Sequence, residues 1–383
     1  MKKRLISLLL AFSMMLTFLP AGAVSAFAEG TADDTTEGKL LKNGDNIEKA
    51  GTYQLNGTYD QGITINTEGS VEINVTGNVT VDVPKNDNFI TIKKADSVTI
   101  NGDAQYPVTV NGGSVISNNG GNLTVNGGKY ICNVQDPYSF AFTLANGINQ
   151  VENVTIESKY QAIRAVLNCK KAVIKTSKIT AEEAYGPYAG AIFCRPNEYS
   201  DVMELDNVDA EVVEEGDALR VETGTVTVNG GNYKSGQGCA IRTWNNSGAD
   251  LNLTIIGGTY QNGNYDRAVA SFGCNVTSDG RECNIHIYGG TFVGGQLLAF
   301  YGEGAKTLTI DKNTTFQSTG GTADAVVVGH GQLIFNSGTI EVSGGSERSA
   351  LRTFEKGEAI VNGGTFKGAK YDICLLYTSD AAD

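Results

Sequence analysis

The feature that most constrains this chain is an internal repeat. The pattern V/L-T-V/I-N-G-G occurs at Val108–Gly113, Leu123–Gly128, Val226–Gly231, Leu253–Gly258, Ile285–Gly290 and Ala359–Gly364, with degenerate copies at Val154, Met203, Leu308 and Leu333. Its third position runs Val125, Ile156, Ile174, Leu205, Val228, Ile255, Ile287, Ile310, Phe335, Val361, a mean spacing of about 26 residues. A second column lies between these copies: Phe142, Ile163, Ile192, Leu219, Ile241, Val269, Leu298, Val326 and Leu351, each usually preceded by Ala. It keeps the same mean period. A third column is aromatic and follows Gly-Gly: Tyr130, Tyr233, Tyr260, Phe292 and Phe366, with Phe316 and Ile340 in degenerate copies. Three columns at one period mark a solenoid, in which each repeat packs only on its neighbours.

The runs are short, rich in Val, Ile and Thr, and alternate apolar with polar, which is the strand signature. Asn-Gly-Gly supplies the left-handed backbone of a sharp bend. Three strands and three bends per repeat, stacked in parallel, predict an all-β chain folded as a right-handed parallel β-helix. The L-x-x-L-x-L-x-x-N spacing of leucine-rich repeats is absent. About twelve coils are expected over residues 51–373, and the second column should point inward along its whole length.

Residues 1–28 read as a secretory signal peptide: Lys2, Lys3 and Arg4, the apolar stretch Leu5–Leu19, then Ala26-Phe27-Ala28 as cleavage site. Residues 29–48 read as a polar linker, and residues 49–373 as the β-helix. Residues 374–383 (Cys-Leu-Leu-Tyr-Thr-Ser-Asp-Ala-Ala-Asp) look like a translated sequencing adapter, expected to form no ordered coil and to stand in place of the true C-terminus. The expected location is extracellular or cell-surface, with no membrane insertion after signal removal.

The net charge is −13 and becomes more negative without the basic leader. A strongly acidic exported protein is a poor partner for nucleic acid or an anionic membrane. Two histidines exclude a His-rich metal site. Of the 7 cysteines, Cys274 and Cys283 flank a polar turn and could bridge it, whereas most of the others read as buried small apolar residues.

The arrangement resembles the pectate-lyase-like β-helix superfamily. Gly51–Gly57, Gly62–Asn66 and Val71–Gly77 look like the start of secreted clostridial-type carbohydrate-binding β-helix proteins. That resemblance implies binding of acidic polysaccharide aided by calcium.

The residues themselves offer three candidate sites. The position outward of the second column holds Arg164, Arg220 and Arg242, with Arg352 further along. Two positions on come Arg195, Glu222 and Trp244, the only tryptophan. Arginine forks bind carboxylates and an indole offers a flat face to a sugar ring, so this strip is a candidate binding face. The densest acidic stretch runs from Glu204 to Asp217. Aligning Ile179 with Val208 stacks Glu182 near Glu211, and with Asp209 these carboxylates make a candidate calcium site. Gly329-His330-Gly331 resembles a polygalacturonase motif, but its paired aspartates and basic partner are missing, so His330 reads as a turn residue. The function expected from sequence is adhesion or non-catalytic binding of polysaccharide or a host or cell-surface glycan. The alternatives are a polysaccharide lyase with an unrecognised site or a passive surface stalk.

Overall fold

The computed structural model describes residues 38–134, 136–184, 190–196, 202–245, 250–264, 267–274, 283–304, 306–345 and 347–375. All lie in one unit, Glu37–Asp383, and everything regular among them is β-strand. The signal-peptide segment lies outside the described residues. Strands pair in parallel with their counterparts in neighbouring turns, about 26 residues away along most of the chain and closer at its start, where Lys39 pairs with Tyr53, and the result is a parallel β-solenoid.

Three faces follow from the register. The first carries Ile73, Ile100, Val125, Val151, Ile174, Leu205, Val228, Ile255, Ile287, Ile310, Phe335 and Val361. Val151 therefore occupies the place that sequence alignment assigns to Ile156. Ile156 instead pairs with Tyr130 and Ile179 on the third face. The copy Val108–Gly113 also lies on the third face, beside the strand Lys129–Val134. An alternating pattern does not name its sheet, so these copies could not be told apart by sequence.

The second face carries Ile63, Ile90, Ile116, Phe142, Ile163, Ile192, Leu219, Ile241, Ala270, Leu298, Val326 and Leu351, about 11 turns. At roughly 4.8 Å per turn this part of the rod is about 50–55 Å long. All nine residues expected to point inward are buried. One is misplaced by a residue, because Ala270 rather than Val269 stands between Ile241 and Leu298.

The third face stacks Tyr233, Tyr260, Phe292 and Phe316, whose ring centroids are 5.3, 4.6 and 4.8 Å apart within 22° of parallel. Ile340 and Phe366 continue it. These rings fill the interior, where offset stacking adds about 0.5–1.5 kcal/mol per pair to their burial.

The bend after the first face explains Asn-Gly-Gly. Its left-handed position is Gly127 (φ 68°), then Asn153 (57°), Thr176 (45°) and Asn207 (52°) in successive turns. Just before it, Asn126 donates to Asn101 and Asn101 to Asn74, at 3.1 and 2.8 Å. Asn362, Asn336 and Asp311 repeat this chain near the other end. Each amide has an acceptor one turn away, so the ladder holds the register of the bend.

Both ends of the rod differ from the expected domain boundaries. Lys39–Leu40 and Asn46–Ile47 pair with Gly51–Tyr59 and Ile63–Asn66, so the first turn starts inside the segment read as linker. Among the described residues of that segment, only Leu41 and Ile47 bury apolar side chains. At the other end Cys374 and Leu375 complete the strand Tyr371–Leu375, paired with Arg352 and Thr353, where no ordered coil was expected. An open last turn offers backbone donors and acceptors to any extended segment, whatever its side chains. Residues 376–383 lie outside the described residues. Cys274 and Cys283 form a disulfide, and Cys132, Cys169, Cys194 and Cys239 are buried thiols.

Leu219→Ala should destabilise the rod by about 2–5 kcal/mol, because the turns above and below hold the cavity open. Ile256→Ala, at an exposed position of the first face, should stay within about 0.5 kcal/mol. Urea unfolding of the two variants checks this difference.

Candidate functional site

The outward position of the second face reads, in register, Thr143, Arg164, Phe193, Arg220, Arg242, Ser271, Ala299, Val327 and Arg352. The structure thus brings Arg164, Arg220 and Arg242 onto one face, but it does not leave them free. The Arg164 guanidinium lies 5.1 Å from the Phe140 ring centroid, and its Nε donates to Thr143 at 3.0 Å. Arg220 is only 8 % exposed, a correction to its reading as a solvent-facing fork. Its Nη2 faces Glu222 at 3.3 Å and its Nη1 faces Asp217 at 3.9 Å. Glu222 is buried too, and its other oxygen meets Arg195 at 3.5 Å. The Arg195–Glu222 proximity read from sequence is therefore present, as one part of a larger network.

That network turns on Asp217, which the sequence reading left inside a generic acidic run. One of its oxygens accepts the Cys239 amide at 3.0 Å, and the other faces Arg242 Nε at 3.1 Å. The same clasp recurs further along the rod. Asp324 accepts the Ser349 amide at 2.6 Å and pairs with Arg352 at 3.1 Å. In both, an aspartate at the start of one second-face strand caps the next turn and neutralises that turn's outward arginine.

Burial pushes the Asp217 carboxyl above its ordinary value, against the pull of Arg242, the Cys239 amide, Arg220 and Arg267. Burial likewise raises Glu222 against Arg220 and Arg195. Burial opposes the Arg242 charge, but Asp217, with Cys239 and Tyr301, holds its pKa above the ordinary arginine value. Burial lifts the Cys239 thiol to about 11, so it is no thiolate at neutral pH.

Two residues past the arginine position, Trp244, Gly273 and Tyr301 stand in register; Gly329 and Phe354 lie two residues past Val327 and Arg352, where the register shifts. All three rings are half-buried. Trp244 and Tyr301 approach across Gly273, with centroids 6.3 Å apart and planes at 56°. A Cβ at Gly273 would sit 3.1 Å from both rings, and one at Gly329 would sit 3.0 Å from Phe354. Tyr301 Oη is 3.2 Å from Ser271 Oγ. The sequence reading found Trp244 but missed its companions. The one-residue slip at Val269 places Phe272 where Gly273 stands, which hides the approach of Trp244 and Tyr301 across a glycine.

Beside Phe354 the face opens into a cavity of about 360 Å³, lined by Gln296, Asp324, Val327, Glu347, Arg352 and Phe354 among others. Its wall combines carboxylate, amide and guanidinium groups with an aromatic face, the composition of a site for a hydroxylated ligand.

The three carboxylates of the candidate calcium site do not converge. Ile179 pairs with Ala210, not Val208, so Thr180 rather than Glu182 lies beside Glu211. Glu211 is ion-paired to Lys234 at 2.7 Å, and Asp209 accepts from Asn232 at 2.7 Å. Like charges do meet one turn apart, at Glu183 and Glu214. Glu183 is raised by partial burial, by hydrogen bonding to Glu214 and by repulsion from Glu214 and Glu182, with Lys159 opposing. Among the described residues no group of three or more His, Cys, Asp or Glu is placed to hold a metal ion. His330 stands at a register shift in the strand Val326–Phe335, with Nδ1 3.3 Å from Glu355. Among the described residues no helix is long and apolar enough to cross a membrane.

No protein-family model, curated protein or solved structure matches this chain.

The raised carboxyls set a pH dependence of definite sign. A folded state that holds a proton more tightly than the unfolded chain gains stability at low pH and loses it as pH rises. The Glu222 contribution should therefore be fully present below the ordinary carboxylate range of about 4 and fall as pH climbs through its raised folded value. Urea midpoints at stepped pH, wild type minus Glu222→Gln, should decline upward from pH about 4. A difference that grows with pH would contradict the burial argument.

Proposed function

We propose that this chain is a secreted or cell-surface, non-catalytic β-solenoid that binds polysaccharide along the outer side of its second face. The observation that carries this reading is the half-exposed column of Trp244, Tyr301 and Phe354, running beside polar groups and ending in a cavity. Sugar rings present apolar C–H faces and polar rims. Aromatic side chains meet the first and charged or amide side chains the second. A rod that repeats one face turn after turn suits a polymer that repeats one unit. The resemblance of residues 51–77 to the start of secreted clostridial-type carbohydrate-binding β-helix proteins agrees with this reading and with an adhesive role.

A lyase or hydrolase is the weaker reading. Catalysis on a glycan needs a carboxyl or base that reaches the substrate. Asp217 and Glu222 are 2 % and 6 % exposed, and arginines face three of their four oxygens while the Cys239 amide holds the fourth. The purified protein should release no unsaturated, ultraviolet-absorbing product from polygalacturonate, with or without calcium. Appearance of such a product would establish the lyase.

Binding is tested by affinity electrophoresis of the purified protein in gels cast with plant, microbial and host polysaccharides. Retention in at least one gel is expected, and Trp244→Ala should weaken it about tenfold, as befits one stacked ring. No retention in any gel would leave the rod as a stalk.

A further inference from the structure

We infer that the polymer taken by this face is a neutral glycan, read by Trp244, Tyr301 and Phe354 and not by a ladder of arginines. This inference rests on the polysaccharide-binding reading and names its substrate class. It departs from the acidic polymer that the family resemblance implies.

The first argument is charge. A polyanion would need unpaired cations on the face. Arg220 is buried between Asp217 and Glu222, and Arg195 faces Glu222. Arg242 faces Asp217, and Arg352 faces Asp324. At Arg220 and Arg242 an incoming carboxylate would have to displace a protein carboxylate, and removing the partner of a buried charge is strongly unfavourable, while the more exposed Arg195 and Arg352 are already ion-paired and offer it only a screened attraction. The cavity adds Asp324, paired with Arg352, and Glu347, paired with Lys370, to its wall, so it offers no unpaired cation, and the whole chain carries −13. Carboxylates repel an acidic sugar but accept hydrogen bonds from the hydroxyls of a neutral one. Gln296 and Arg352, on the same wall, can donate to them.

The second argument is shape. Trp244, Gly273 and Tyr301 occupy one position in three consecutive turns, and further along the face Phe354 lies against Gly329. Trp244 and Tyr301 stand two strand spacings apart at the backbone, about 9.6 Å, but lean together over Gly273 until their centroids are 6.3 Å apart, so that they form one continuous aromatic platform. Glycine at 273 is what lets the two rings close over the turn between them, since any side chain there would press on both Trp244 and Tyr301. The 56° angle between those two rings presents faces turned relative to each other. That suits a glycan whose successive sugars are rotated along the chain, not a flat ribbon.

The test is affinity electrophoresis of the full chain against neutral polymers (mixed-linkage β-glucan, xylan, galactomannan) and acidic ones (polygalacturonate, alginate), at low and high salt. The expected result is retention by a neutral polymer that salt does not weaken. Trp244→Ala, Tyr301→Ala and Phe354→Ala should each lower affinity about tenfold, and Gly273→Val should weaken it with all three rings still present. Trp244→Phe and Tyr301→Phe should restore most of the binding, which separates stacking from loss of fold. Tyr288→Ala, at an exposed aromatic of the first face, should change nothing. Retention by acidic polymers alone, falling with salt, would overturn this inference and leave polysaccharide binding standing. Neutral-polymer retention untouched by the ring variants would also overturn it. No retention by any polymer would overturn both.

Discussion

Parallel backbone pairing between successive turns is the interaction on which everything else in this molecule depends. It sets each residue about 4.8 Å from its counterpart in the next turn, so every position along the chain becomes a column. A column tolerates only side chains that can bear their own kind at that distance, or that alternate with a complement. Ile and Leu satisfy the first condition inside the second face, and the Tyr233–Phe316 stack satisfies it inside the third. Asparagine satisfies it at the bend, because an amide donates to one neighbour and accepts from the other.

Charge is the difficult case, and the outward side of the second face handles it by pairing. Two guanidinium groups in adjacent turns repel, yet Arg220 and Arg242 are adjacent. Asp217 lies against both and also caps the Cys239 amide, so one carboxylate serves the backbone and two cations. The desolvation that raises its proton affinity is the counterpart of that service. Asp324 repeats the arrangement with Arg352. Arg348 solves a similar problem without a carboxylate in contact. It is buried, and its guanidinium donates to the carbonyls of Ala323, Gly320 and Gly295, tying turns together from within.

These clasps bear on how the face meets a ligand. They consume the charges that sequence composition suggests are available, and the proposed recognition of a polymer therefore falls to the half-buried rings of Trp244, Tyr301 and Phe354. The rings need no desolvated charge to be stripped, and Gly273 lets Trp244 and Tyr301 close over it where any other side chain would press on both.

The strand class, the solenoid period, the inward second column and the aromatic stack were all legible in the residues, because periodicity is a one-dimensional property that the chain carries openly. So was the gathering of Arg164, Arg220, Arg242, Arg195, Glu222 and Trp244 on one side. What the residues could not state was register to the single residue. Turns of unequal length shift the alignment, and a slip of one or two changes every partner. Such slips put Ile156 in the wrong column, Glu182 beside Glu211, and Phe272 over the place of Gly273. Whether an arginine is free or clasped is likewise a tertiary matter, since Asp217 and Asp324 reach their partners across a turn. Sequence determined that this chain must stack. Only the stack, by bringing residues about 26 apart into contact, decided which side chains face each other and which remain open to a ligand.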